Sequence, residues 1–135
     1  MCSPWDLGTV KHALTVSDVR DKRVLEVGSL DVNGSVRGDI MELGPAEYVG
    51  IDIRPGPGVD EICDAGDLVA RFGENAFDVV VSTELLEHAR DWRRVISNIK
   101  RVTKPDGVMI VSTRSYGVDF HRRPFDYWRY EKEDF

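Results

Sequence analysis

The sequence predicts an α/β protein, a Rossmann-like doubly wound and mostly parallel sheet of about five strands. Two observations carry this. Short, almost wholly apolar runs recur along the chain, and segments of helical periodicity alternate with them. A strand that is apolar at nearly every position needs cover on both faces, which is the condition of a parallel sheet with helices above and below. Right-handed crossovers then wind the helices onto both sides. No repeat, low-complexity tract or linker interrupts the pattern, so residues 1–135 are expected to form a single domain.

The first element is a helix. Ser3 is a suitable N-cap and Pro4 fits the first helical position, so a helix is expected from there to about Leu14. Arg23 to Val27 reads as a buried strand ended by Gly28. Val36, Ile40 and Leu43 fall at helix spacing within a stretch from Gly34 to Leu43, which Gly44-Pro45 closes. Glu47 to Ile51 and the short Val59 to Cys63 are the next strands, joined by Arg54-Pro55-Gly56-Pro57-Gly58, which reads as a loop. Asp67 to Phe72 is a brief helix. Phe77 to Ser82 is the clearest strand, since its three consecutive valines suit burial on both faces. From Asp91 to Val102, one stripe holds Trp92, Val95, Ile96, Ile99 and Val102, while Arg93, Arg94, Asn98 and Arg101 face elsewhere. Lys104-Pro105-Asp106-Gly107 is turn chemistry, and Val108 to Thr113 is a fifth strand.

Composition excludes several classes. No apolar run is long enough to span a bilayer, and Met1 to Leu14 lacks the layout of a secretion signal, so no membrane partner and cytoplasmic residence are expected. Two cysteines, Cys2 and Cys63, supply neither a disulfide framework nor a metal site; Cys63 reads as a small core residue. The net charge of -6 argues against a nucleic-acid binder. Basic residues nevertheless gather between Arg90 and Arg129, which reads as a solvated surface or as an anion-facing rim.

In open parallel sheets, ligands bind beyond the carboxyl ends of the strands, where strand order reverses. After the first strand come Gly28, Ser29, Leu30, Asp31, Val32, Asn33 and Gly34. Gly28 permits a tight turn and Gly34 opens the next helical stretch. After the second strand stands Asp52, whose carboxylate can take both hydroxyls of a ribose. Loop and carboxylate together point to a nucleoside cofactor. A dinucleotide fingerprint needs a second glycine, and Leu30 stands there instead, crowding a pyrophosphate.

These motifs continue in order: Glu26-x-Gly28, Asp52, Cys63-Asp64-Ala65, Ser82-Thr83-Glu84-Leu85-Leu86-Glu87-His88 and Lys104-Pro105-Asp106-Gly107. The series, from about Val24 to Thr113, resembles the class I S-adenosylmethionine-dependent methyltransferases, most of all the group that carries a Leu-Glu-His box after strand four. The resemblance implies S-adenosyl-L-methionine as cofactor and a small-molecule or sugar-like methyl acceptor as partner. It implies that Glu26 and the loop with Gly28, Ser29, Asp31, Asn33 and Gly34 hold the methionine portion. Asp52 would bind the ribose, Ile53 would pack on the adenine, and Asp64 with the Ala65 backbone would meet the adenine edge. Ser82, Thr83 and Glu84 would line the methionine end. The loop between Gly28 and Gly34 is longer than the family's G-x-G-x-G, which leaves its path open.

No catalytic residue is assigned. Methyl transfer needs orientation and exclusion of water more than acid–base chemistry, and a base only where the acceptor loses a proton. His88 and His121 are the candidates. The resemblance also makes Pro124-Phe125-Asp126-Tyr127-Trp128-Arg129 part of a lid over the acceptor; by composition Phe125, Tyr127, Trp128 and Tyr130 could equally plug the sheet, and Arg122, Arg123 or Arg129 could hold an anionic group. Glu131 to Phe135 reads as a helix's first turn. The resemblance implies a seven-stranded fold, so strands six and seven are expected to be missing from these residues, as in a fragment or C-terminally truncated gene, unless a homodimer covers the exposed edge. A catalytically silent cofactor-binding module is the alternative function, with a nicotinamide-dependent oxidoreductase further behind.

Overall fold

A computed structural model of the chain describes residues 4–120 and 125–134, with side chains from residue 8 onward. Ser3, His121, Arg122, Arg123, Pro124 and Phe135 therefore lie outside the described residues.

Five strands form one wholly parallel sheet: β1 (Arg23–Val27), β2 (Glu47–Asp52), β3 (Glu61–Ile62), β4 (Phe77–Thr83) and β5 (Thr103–Ser112), in the order β3-β2-β1-β4-β5. The chain moves outward from β1 through β2 to β3, then crosses over to β4 and β5. Strand order thus reverses between β1 and β4, and a crevice opens at their carboxyl ends.

Side-chain alternation divides the core in two. Leu25, Val27 and Val80 point to one face, where Leu68, Phe77, Leu86, Trp92, Val95, Ile99, Val102 and Tyr130 join them. Val24, Val79 and Val81 point to the other and meet Val10, Leu14, Val19, Val36 and Ile40. The three consecutive valines of β4 are therefore all buried, as two-sided cover requires. The helices α1 (Pro4–Ala13), α2 (Val16–Val19) and α3 (Arg37–Glu42) serve the second face, and α4 (Leu68–Phe72) and α5 (Trp92–Val102) the first. Burying a Leu, Ile or Phe in these layers contributes about 1.5–3 kcal/mol each.

Several expectations are corrected. The helix before β2 is shorter than the stretch from Gly34 to Leu43, and β3 shrinks to two residues. Helix α2 has no counterpart in the sequence reading, because a single turn shows no periodicity; the Thr15 N–H donates to Asp18 Oδ2 at 2.8 Å and fixes its start. Asn98 does not face solvent. It is buried, its Oδ1 accepts from Val69 N at 3.0 Å and its Nδ2 donates to the Arg94 carbonyl at 3.1 Å, so it satisfies a first-turn N–H of α4. Lys104 to Gly107 is not a turn before β5 but an irregularity within it: Phe77 pairs with Thr103, and the ladder resumes at Val79 with Val108. A bulge accommodates Pro105, which has no N–H to offer a ladder. Cys63 is half-buried rather than a core residue. Among the described residues no helix is long and apolar enough to cross a membrane, and no cluster of metal-ligating side chains occurs.

Candidate functional site

Loops after β1, β2, β3 and β4 converge on a cleft of about 900 Å³, within the range of small-molecule sites. The first rim is the turn that leaves β1. Gly28 has φ +83, and a Cβ there would press on Leu85 Cδ1 at 3.2 Å, so the wall of the cleft is closed by a leucine against a bare backbone. The N–H groups of Gly28 and Ser29 both donate to the Ile51 carbonyl at 2.9 Å, which ties this turn to the end of β2.

The second rim begins with Asp52, which ends β2 and lines the cleft. Its Oδ1 accepts from Arg54 N at 3.0 Å, so the capping role that a strand-end aspartate can play is present. A carboxylate has about four acceptor positions, and one such bond leaves capacity for ribose hydroxyls. Ile53 comes next, with 61% of its surface exposed. A large aliphatic side chain bared at a cleft wall suits the face of a flat ring. Asp64 and Ala65 lie further along, with Asp64 Oδ1 accepting from Gly66 N at 2.7 Å.

The third rim comes from β4 and α5. Glu84 adopts φ +47, a conformation that non-glycine residues seldom take. Its N–H donates to the Ser112 carbonyl at 3.0 Å, and its carboxylate meets Arg114 at 3.2 Å. Backbone held in such a region is fixed by its surroundings. Arg94 of α5 crosses to donate to the Gly66 carbonyl at 3.0 Å and pairs with Asp67, joining the helix to the loop that carries Asp64.

Of the residues read from the sequence, Gly28, Asn33, Asp52, Ile53, Asp64, Ala65 and Glu84 share this cleft. Glu26, Ser29, Asp31, Gly34, Ser82 and Thr83 are not in its lining. Glu26 faces the other side of the sheet, where Tyr48 Oη donates to it at 2.5 Å; burial pushes its carboxyl up to about 7, and the Tyr48 bond offsets only part of that. Ser29 is buried behind the turn, Asp31 caps its own loop by accepting from Gly34 N at 2.9 Å, and Ser82 and Thr83 are buried in β4. His88, a catalytic candidate, and Phe125, read as part of a lid over the acceptor, also line it, whereas the sequence reading missed Leu85, Cys63 and Arg94 as parts of the wall. Asp91, from which the sequence reading started this helix, caps α5 by accepting from Arg94 N at 3.1 Å.

The Leu-Glu-His box forms a single 3₁₀ turn, Leu86–His88, and serves as a seat for the C-terminal segment. Tyr127 N donates to the Glu87 carbonyl at 2.8 Å, Trp128 Nε1 to the Ala89 carbonyl at 3.0 Å, and Tyr130 Oη to the Leu86 carbonyl at 2.9 Å. His88 Nδ1 donates to the Phe125 carbonyl at 2.5 Å and so holds Phe125 at the cleft. The Glu87 side chain is fully buried and accepts from Thr113 Oγ1 at 2.9 Å. His12 is exposed and away from the cleft, and His121 lies outside the described residues.

Arg129 does not offer its charge to an anionic ligand. Its side chain is buried, forks onto Asp126, and donates to the carbonyls of Val118, Asp119 and Trp128 at 2.9, 2.7 and 2.7 Å. Likewise Arg94, Arg101, Lys104 and Arg114 pair with Asp67, Glu74, Asp78 and Glu84. These five basic residues are answered by the chain's own acids, while Arg90 lines the cleft.

Residues 9–135 match a family model described as a methyltransferase domain. The chain belongs to that family. Solved structures agree on the fold of this methyltransferase domain. An S-adenosylmethionine-dependent methyltransferase from Mesorhizobium loti superposes with a TM-score of 0.64 at 20% identity, covering 80% of this chain and 52% of its own. One from Archaeoglobus fulgidus gives 0.66 at 19%, covering 95% and 64%. A phosphoethanolamine N-methyltransferase of Haemonchus contortus, in complex with phosphomonomethylethanolamine and S-adenosylhomocysteine, gives 0.65 at 20%, covering 93% and 34%. The methyltransferase domain thus spans about half the length of the first structures it matches, 52% and 50%. Comparison with curated protein sequences gave no match.

Proposed function

We propose that this domain binds S-adenosyl-L-methionine in the cleft and directs its methyl group to a small-molecule acceptor. The observation that carries the reading is the convergence of the Gly28 turn and Asp52, at the ends of adjacent strands, on one cleft. The residues present suit the cofactor: carboxylates for hydroxyl and amino hydrogens, a bared Ile53 for a ring face, and a glycine turn for a polar tail. Leu30 in the cleft wall favours a ligand with no pyrophosphate over a nicotinamide dinucleotide.

Asp52 would hold the ribose hydroxyls and Ile53 one adenine face, with Asp64 and the Ala65 backbone at the adenine edge. The Gly28–Gly34 loop and Glu84 would hold the methionine end. Glu26, Ser29, Asp31, Gly34, Ser82 and Thr83 would shape that end from beneath. When bound, the cofactor supplies a methyl carbon made electrophilic by the neighbouring sulfonium. The chain's own work is to orient that carbon and to keep water away, for which Leu85 and Phe125 stand at the wall. His88 acts as the clasp of the Phe125 segment. The open edge of β5, where Met109 is 38% exposed, supports a homodimer, and sedimentation as a monomer would remove that part of the reading.

Calorimetric titration with S-adenosylhomocysteine and with NAD tests the cofactor: the first should bind and the second should not. Failure of both would end the nucleoside reading. Release of S-adenosylhomocysteine over a panel of small amine, hydroxyl and sugar acceptors then separates an enzyme from a silent binding module.

A further inference from the structure

The segment Arg54-Pro55-Gly56-Pro57-Gly58 reads in the sequence as a mere connection between β2 and β3, yet it lies against the long turn after β1. Asp31 N donates to the Pro57 carbonyl at 2.9 Å. A side chain on Gly58, which has φ +84, would run into the Ser29 carbonyl oxygen; one on Gly50 would run into the Gly58 carbonyl; and one on Gly56 would strike Leu30 Cδ1. Gly58 thus lets the segment's backbone touch the β1 turn, Gly50 lets β2 touch the segment, and Gly56 leaves room for the Leu30 side chain. From the outer side, Arg37 holds the segment in place: Nη1 donates to the Gly58 carbonyl at 3.2 Å, and its two nitrogens fork onto Asp60 at 2.9 and 3.0 Å. Asp60 in turn accepts from Gly50 N at 2.7 Å. Burial acts to raise the Asp60 carboxyl, but the Arg37 fork and the Gly50 N–H outweigh it and leave it below the usual range. Pro55 and Pro57 have fixed φ, so the segment presents a stiff surface.

We infer that Gly56, Gly58 and the Arg37–Asp60 clamp are positioning residues that set the path of the cofactor loop. They do so by packing Leu30, where dinucleotide folds carry a glycine, against Gly56. This rests on the cofactor reading above, because the loop so held is the one assigned to the methionine portion. The device answers a physical need: a loop of five residues between its glycines has more conformations to lose than a short one, and a preorganised site requires them to be lost before binding. None of the buttress glycines lies in the cleft lining, so their effect on binding must travel through the loop.

Two readouts test it: calorimetric affinity for S-adenosylhomocysteine, and hydrogen exchange of the Gly28, Ser29 and Asp31 amides in the ligand-free protein. Gly58→Ala should weaken binding about tenfold or more, as misplacement of a positioned group does, and should speed Asp31 exchange while β4 amides keep their protection. Gly56→Ala should weaken binding less and speed Asp31 exchange, and adding Leu30→Ala should restore part of that protection, since the collision is with that side chain. Arg37→Lys keeps the charge, loses the fork, and should fall between the two, which preserves the test if Gly58→Ala folds poorly. Ile40→Val, a core change on the same face, is the stability control and should leave affinity unchanged. Unaltered affinity in Gly58→Ala and Arg37→Lys, or no recovery of Asp31 protection on adding Leu30→Ala to Gly56→Ala, would overturn the inference. Should the wild-type protein bind no S-adenosylhomocysteine, the cofactor reading fails, and Asp31 exchange alone decides: equal rates in wild type and Gly58→Ala would overturn the buttress.

Discussion

Two regions of this domain are held to the sheet by opposite means. Around the loop after β1, from Gly28 to Asp60, backbone meets backbone at Gly50 and Gly58, where side chains are absent. The segment from Phe125 to Tyr130 is fastened instead by large side chains reaching for carbonyl oxygens: His88, Trp128 and Tyr130 each donate to one, and Arg129 to three. The first arrangement fixes a surface closely and leaves room for a ligand. The second attaches a segment whose Phe125 and Tyr127 rings stack at 6.0 Å while remaining exposed, with 70% of Phe125 accessible. The contrast separates the turn that walls the cleft beside β1 and β2 from the segment that borders its other side.

Mutations should pull the two apart. The largest effect is expected from Tyr130→Ala. Tyr130 is 4% exposed, sits edge-on to Trp92 at 5.3 Å, and donates to the Leu86 carbonyl. Its loss should cost about 3–5 kcal/mol of stability, the range for removing a buried aromatic, read by urea denaturation. Affinity for S-adenosylhomocysteine should hold in the fraction that stays folded; a parallel collapse of affinity would show that the two regions are one unit. Asp52→Ala should do the reverse. It should weaken S-adenosylhomocysteine by about 1.5–3 kcal/mol, as hydrogen bonds to a charged group do, with the denaturation midpoint unmoved. An unchanged dissociation constant would contradict the ribose role.

A third expectation concerns the floor of the first region. Burial raises the folded-state pKa of Glu26 from 4.5 to about 7. The folded state therefore binds this proton more tightly than the unfolded one, and Glu26 contributes full stability below pH 4.5 and loses it as pH rises toward 7. The slope cannot exceed about 1.4 kcal/mol per pH unit for one proton. Glu26→Gln, which stays neutral, should flatten stability against pH over that window; an identical slope in both proteins would mean that Glu26 does not titrate there. The smallest effect is expected at the surface. Arg101 and Glu74 are each 55% exposed, so Arg101→Ala should change stability by about 0.5 kcal/mol or less. A larger loss by denaturation would mean that the ion pairs which answer the basic run hold the fold together.

Much of the fold is legible in the residues. Val79, Val80 and Val81 can be satisfied only by a strand covered twice, and the stripe from Trp92 to Val102 only by a helix lying on it. Asn98 shows where this fails: a polar residue read as solvent-facing is buried because α4, distant in sequence, presents an unsatisfied N–H to it. Lys104 to Gly107 fails for a similar reason. Turn-forming residues also suit a bulge, and only the neighbouring β4 decides between them.

At the candidate site, the chain order alone brings Gly28, Asp52, Asp64 and Glu84 to strand ends, because a parallel sheet places every such end on one rim. Which side chains reach the cleft is another matter. Glu26 and Ser29 stand close to Gly28 in sequence and face away from the opening, since successive residues of a strand alternate and a turn can bury the residue after it. The sequence by itself determined the layered parallel sheet, through the spacing of its apolar residues. Only the tertiary structure decided that a proline–glycine connection would lie against the loop after β1 and that the Leu-Glu-His turn would seat the C-terminal segment. Both depend on backbone groups brought together from separate parts of the chain, and backbone groups are nearly the same in every residue.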